Sequence, residues 1–116
     1  TIALPSITSL ANQVFRGTGG YWDAIDLGPG LTAIGSDQFY QGTFQKLILR
    51  RTSGVVTAPS ADSIKYIYNV WVPSALIASY QTATNWATRY NAGTITFHAI
   101  EGSEYEHYYA DGTPIT

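Results

Sequence analysis

The chain has 116 residues, six of them Lys or Arg and eight Asp or Glu, for a formal net charge of −2. It contains no Cys, which excludes disulfide frameworks, thiolate zinc sites and cysteine nucleophiles. An apolar fraction of 45% excludes disorder, and only 12% charged residues is low for a free monomer but tolerable in an assembly.

The length is that of one domain, 1–116, large enough to bury a core without a staple. No run approaches ~18 uninterrupted apolar residues, so no membrane span is expected. The opening TIALPSITSL has no basic segment and does not read as a signal peptide. Inspection finds no internal repeat and no linker.

Turn signals recur at Gly17-Thr18-Gly19-Gly20, Gly28-Pro29-Gly30, Thr52-Ser53-Gly54, Ala58-Pro59-Ser60, Asn91-Ala92-Gly93 and Asp111-Gly112. Between them lie short segments rich in β-branched and aromatic residues. These predict strands over 12–16, 21–27, 31–34, 42–51, 63–72 and 93–100.

Alternation in 44–51 puts Phe44, Lys46, Ile48 and Arg50 on one face and Leu47, Leu49 and Arg51 on the other. In 65–72, Lys65, Ile67, Asn69 and Trp71 share a face opposite Tyr66, Tyr68, Val70 and Val72, and Pro73 ends the strand. Residues 74–90 carry both a helical spacing (Leu76, Tyr80, Ala83, Ala87, Tyr90) and a Thr-rich strand signal. They are expected to form a loop followed by a strand.

Ser103-Glu104-Tyr105-Glu106 fits a capping box and predicts a short C-terminal helix, stopped by Asp111-Gly112 and Pro114. About two turns are not stable alone, so its Tyr105, Tyr108 and Tyr109 stripe is expected to pack on a sheet, the chain's own or a partner's.

Three constellations carry chemistry. Lys46, Arg50 and Lys65, interleaved with Asn69 and Trp71, suggest a polyanion-binding sheet face; the bland reading is a solvated face guarded against edge pairing. His98, Glu104 and His107 have the residue types of a small nuclease or a metal site. No nucleophile motif accompanies them, and half-buried and surface histidines are the bland alternative. The surplus of aromatics suggests a sugar-stacking platform at Trp22, Trp71 or Trp86, against ordinary core packing. Gly17-Thr18-Gly19-Gly20 lacks the ending of a phosphate loop.

Four stretches in order, QKLILRRTSG (45–54), SIKYIYNVWVP (63–73), NWATRYNAGTITFHA (85–99) and EGSEYEHYYADGTPIT (101–116), resemble the coat proteins of single-stranded RNA bacteriophages. The resemblance covers roughly 42–116 by pattern, departs in its short helical tail, and contains no single specific motif. It implies a mainly antiparallel α+β fold: an N-terminal hairpin, about five strands and a C-terminal helix. Two chains would share a continuous sheet, clasped by Tyr105, Tyr108 and Tyr109.

It further implies an icosahedral virion shell, made in a host cytoplasm, whose inner sheet face binds an RNA hairpin. The RNA-facing residues would be Lys46, Ile48, Arg50, Lys65, Ile67, Asn69, Trp71, Thr88 and Tyr90. The leading expectation is therefore a non-enzymatic, cofactor-free and metal-free coat protein. A carbohydrate-binding β-module is the alternative, and a small nuclease a third.

Overall fold

The computed structural model describes residues 2–8, 21–35 and 43–115. Five strands form one sheet in chain order: β1 (Ile2–Leu4), β2 (Tyr21–Leu27), β3 (Thr43–Leu49), β4 (Ile67–Val72) and β5 (Thr96–Ala99). Every neighbouring pair is parallel. This corrects the antiparallel sheet, and the N-terminal hairpin with it, since β1 and β2 also run in the same direction.

The physical reason lies in the connections. Alternation reports which face a side chain takes but not which way a strand runs. Direction depends on what joins the strands: tight hairpins for antiparallel pairs, crossovers of a dozen or more residues for parallel ones. Here residues 5–20, 28–42, 50–66 and 73–95 join the strands, all of crossover length. The turn expected at Gly28-Pro29-Gly30 is present, with Leu31 N–H donating to Gly28 C=O at 3.3 Å, but it opens one of these crossovers instead of closing a hairpin.

The register exposes a repeat that inspection of the sequence misses. Ile2 pairs with Ile25, Ile25 with Leu47, Leu47 with Val70, and Val70 with Phe97. The chain thus returns to the same place every twenty-odd residues. Its connections stack too: Ala33 bridges Thr57 in parallel, and Gly28 N–H donates to Leu4 C=O at 3.0 Å. A coil that lays one strand per turn in register is a solenoid, whose repeats typically run 20–45 residues. The repeat is one of position; the side chains change from Ile to Leu to Val to Phe, each of which fills the core.

The core lies on one face of the sheet, the inner face. Ile25, Leu27, Leu47, Leu49, Val70, Val72 and Phe97 pack there with Leu31, Ile34, Val56, Ile64 and Ile95 from the connections. Each such side chain stabilises the fold by roughly 1.5–3 kcal/mol on burial. The alternation reading of 44–51 holds over 47–49: Leu47 and Leu49 face this core, while Ile48 faces the other way, toward Ala24, Ile100 and Tyr105. Phe44, expected on the face of Ile48, and Ile67, expected with Asn69 and Trp71, join the core cluster instead.

Residues 74–90 correct the loop-and-strand expectation. A 3₁₀ turn (Ser74–Leu76) leads into α1 (Ile77–Thr82), and α2 follows (Trp86–Asn91). The helical spacing wins because it directs Tyr80 into the core with Leu76 and Ala83 packed against it, and Trp86, outside that spacing, is buried there too. Their polar tips complete a buried stretch of connection: Tyr80 Oη accepts from Val56 N–H at 2.9 Å, and Trp86 Nε1 donates to Val56 C=O at 2.8 Å.

The other expected strands shift as well. Residues 31–34 contribute a single bridge, the strand expected over 63–72 begins at Ile67 after a 3₁₀ turn (Asp62–Ile64), and the last spans only Thr96–Ala99. The strand expected over 12–16 lies outside the described residues. The expected C-terminal helix is a series of turns. Ser103 and Glu106 do not close a capping box. Ser103 Oγ donates to Ile100 C=O at 2.7 Å and accepts from Tyr105 N–H at 3.1 Å, and the Glu106 carboxylate accepts from Gly102 N–H at 3.4 Å.

Candidate recognition site on the outer sheet face

Residues 100–115 cross the outer face of the sheet and cover part of it. They are held by one buried ion pair. The Arg50 guanidinium is forked onto Asp26, with Nε to Oδ1 at 2.8 Å and Nη2 to Oδ2 at 2.7 Å. Its remaining donors reach Tyr105 C=O at 2.7 Å and Tyr108 C=O at 3.1 Å, while Asp26 Oδ2 accepts from Ala110 N–H at 2.7 Å. Tyr109 places its ring 5.1 Å from the guanidinium. A buried charge pair is tolerable only when its lone pairs and protons are satisfied in this way.

This disposes of Arg50 as a phosphate contact: it is 9% exposed and fully engaged within the chain. Ile48 and Ile67, also expected to face RNA, are completely buried. Lys65 precedes β4 and lies over the Tyr66 ring at 5.6 Å. Thr88 and Tyr90 sit on α2, on the core side of the sheet, where Tyr90 packs 5.8 Å from Phe97. Of the nine residues expected on one RNA-facing surface, Lys46, Asn69 and Trp71 do share the partly open outer face.

The expected assembly stripe also divides. Tyr105 is 5% exposed, packed against Trp71 of its own chain, whereas Tyr108 is 52% exposed. Tyr109 lies on Arg50. The requirement for a partner's sheet therefore falls away for Tyr105, because its own sheet's outer face receives it. Burial, with Glu104 as the next cause, pushes the Tyr105 hydroxyl pKa up to about 12.

What stays partly open is a strip across three strands. Lys46 pairs with Asn69 and Asn69 with Thr96, so the three side chains stand in a row at the usual interstrand spacing of about 4.8 Å. One row along, Trp71 pairs with His98, their rings stacked at 4.5 Å between centroids. Asn69 ties the rows together: Nδ2 donates to Gln45 C=O at 3.2 Å, and Oδ1 lies 3.0 Å from His98 Nε2.

His98 and Thr96 were missed as members of this strip. Strand alternation and register together place them there, but register is not readable until the repeat is seen. The nuclease grouping is not assembled: His98 meets Asn69, and His107 lies 3.4 Å from the Glu106 carboxylate. No group of three His, Cys, Asp or Glu suited to a metal occurs among the described residues.

For the sugar platform, Trp86 is fully buried and Trp71 is stacked on His98 with Tyr105 against its edge. The side chain of Trp22 lies outside the described residues. A shallow cleft of about 180 Å³ beside Arg50 is lined by Thr52, Pro73, Ile100, Glu101 and Glu106. Its charged groups already serve the fold. Glu101 accepts from Ser74 N–H at 2.9 Å and Ser74 Oγ at 3.0 Å, and the Ser74 N–H bond holds its carboxyl below the ordinary range.

No protein-family model, curated protein or solved structure gives a significant match to the chain. No helix among the described residues is long and apolar enough to cross a membrane.

Proposed function

We propose that this chain is a non-enzymatic recognition module, a short solenoid that presents the open strip of its outer sheet face to a macromolecular partner. The observation that carries the reading is the in-register stack, which aligns Lys46, Asn69 and Thr96 across three successive turns beside the Trp71–His98 pair. Solenoids use such regular, extended surfaces for binding. Binding is favoured over catalysis because His98 meets an amide, with no nucleophile on it.

The RNA coat reading has less support than the sequence lent it. Binding through phosphates needs several free cations, yet Arg50, Arg51 and Arg89 are engaged by Asp26, Val55 C=O and Asp62. The sugar reading needs an open aromatic face, which neither Trp71 nor Trp86 offers.

The chain should be screened against a glycan array, single-stranded RNA and a random peptide display library, beside a variant carrying Lys46→Glu, Asn69→Ala and His98→Ala. The expected result is peptide binding by the parent that the variant loses while keeping its circular dichroism spectrum. Thr88→Ala, on the opposite side of the sheet, should change nothing. Binding unaffected by the triple variant overturns the assignment of the face. Megadalton particles with nucleic-acid absorbance on gel filtration overturn the module in favour of the coat.

A further inference from the structure

Among the Asp and Asn residues of the chain, only Asp111 precedes a glycine. The pair sits at the tip of a small hairpin in the closing segment. Tyr109 N–H donates to Thr113 C=O at 2.8 Å, Ile115 N–H donates to His107 C=O at 2.9 Å, and Tyr108 bridges Pro114 in the antiparallel sense. Gly112 takes a φ of +88°, which glycine adopts without strain. It also has no Cβ to shield its nitrogen from the side chain that precedes it.

An Asp-Gly pair can rearrange with no reagent but water. The Gly112 nitrogen attacks Asp111 Cγ, the carboxyl hydroxyl and the N–H proton leave together as water, and a five-membered succinimide forms. Water then adds back across either ring carbonyl. One opening restores aspartate. The other leaves the main chain running through the former side chain, one carbon longer, with the α-carboxyl free.

The closed hairpin withholds both reactants. Gly112 N–H is donated to Tyr109 C=O at 2.9 Å, and Asp111 Oδ1 accepts from Thr113 N–H at 3.0 Å. The second bond holds the carboxyl below its ordinary range, so that it stays ionised and lacks the hydroxyl that must leave. Residues 111–114 are exposed, and a tip held by a few solvent-facing main-chain bonds opens far more readily than the core.

We propose that Asp111-Gly112 is a spontaneous modification site, whose isomerisation to isoaspartate runs through the opened hairpin and loosens the closing segment's hold on the sheet. Its position carries the consequence. Ala110 N–H, one residue earlier, is bonded to Asp26, and Tyr108 C=O to Arg50. An added main-chain carbon takes the Asp111 acceptor away from Thr113 N–H and puts the turn out of step with those anchors. The inference stands independently of the recognition reading.

The test ages the parent chain and Asp111→Glu for several weeks at physiological temperature and pH, both folded and in guanidinium chloride. Asp111 is the only Asp in the tryptic peptide that follows Arg89, and an isoaspartyl form of that peptide runs at a new retention time with unchanged mass. The parent should accumulate this form, at least roughly fivefold more slowly when folded, and Asp111→Glu should not. The isoaspartyl protein, purified, should unfold at lower denaturant than the fresh parent. Isoaspartate formed in denaturant but absent from the folded parent overturns the site in the native chain. Equal rates in the two conditions overturn the hairpin's control, and unchanged stability of the purified form overturns the link to Asp26 and Arg50.

Discussion

A guanidinium offers five donors in a rigid fork, and Arg50 places four of them on one carboxylate and two carbonyls. Removing it leaves Asp26 buried without its counter-charge. Arg50→Ala should therefore cost roughly 3–5 kcal/mol in urea-unfolding free energy, and Asp26→Asn should also destabilise the chain. A variant as stable as the parent would show that the pair contributes nothing. Tyr80 gives a second residue-scale test. Burial raises its hydroxyl pKa from 10.0 to about 12, so the folded state holds that proton more tightly than the unfolded chain. The associated stability is complete below pH 10.0 and is lost as pH rises toward about 12, at up to roughly 1.4 kcal/mol per pH unit. Tyr80→Phe should remove Tyr80's part of that alkaline slope. At neutral pH it should cost roughly 1–3 kcal/mol, because Val56 N–H loses its partner. Thermal melts between pH 8 and 12 measure both effects.

Among the elements, the C-terminal segment separates sequence reading from outcome most clearly. Ser103 and Glu106 have the spacing of a capping box, but main-chain groups of this segment are taken by Arg50 and Asp26, and the chain turns instead of winding. No local pattern announces a partner 55 or 84 residues away. The faces of β3 over 47–49, by contrast, were legible, because a period of two is a local property: Leu47 and Leu49 point to the core, Ile48 away from it, and only Phe44 at the start of the strand departs from the pattern by joining the core. The direction of the strands was not, since it depends on what the connections do. Two predictions belong at this scale. Tyr105→Asp should destabilise the isolated chain strongly and Tyr108→Asp by less than about 0.5 kcal/mol, given their burial and exposure. Equal effects on chemical unfolding would contradict the docked segment. Gly28→Ala should destabilise by roughly 1–3 kcal/mol, because a Cβ there would meet Pro5 C=O at 2.1 Å, backbone against backbone between adjacent turns.

For the whole molecule, the stacking of turns makes each strand depend mainly on its neighbours in sequence, as the order of the sheet requires. Composition and apolar content correctly announced a packed core, and three of the expected face residues, Lys46, Asn69 and Trp71, do meet on one surface. Of the remainder, Arg50 was lost to charge pairing, Ile48 and Ile67 to burial, and Thr88 and Tyr90 to a helix on the other side of the sheet, while Lys65 lies before β4. A one-dimensional stack would be free to melt turn by turn from either end. The bond from Asp26 to Ala110 spans 84 residues and joins the second strand to the closing segment, across the intervening strands. It couples β2 to the closing segment that follows β5, so that β2 and that segment cannot separate without breaking the same buried charge pair, while β1 lies outside the tie. The structural consequence is cooperativity. Fluorescence from the tryptophans and far-ultraviolet dichroism should trace a single unfolding transition in the parent chain, and Arg50→Ala should split the two signals into separate transitions.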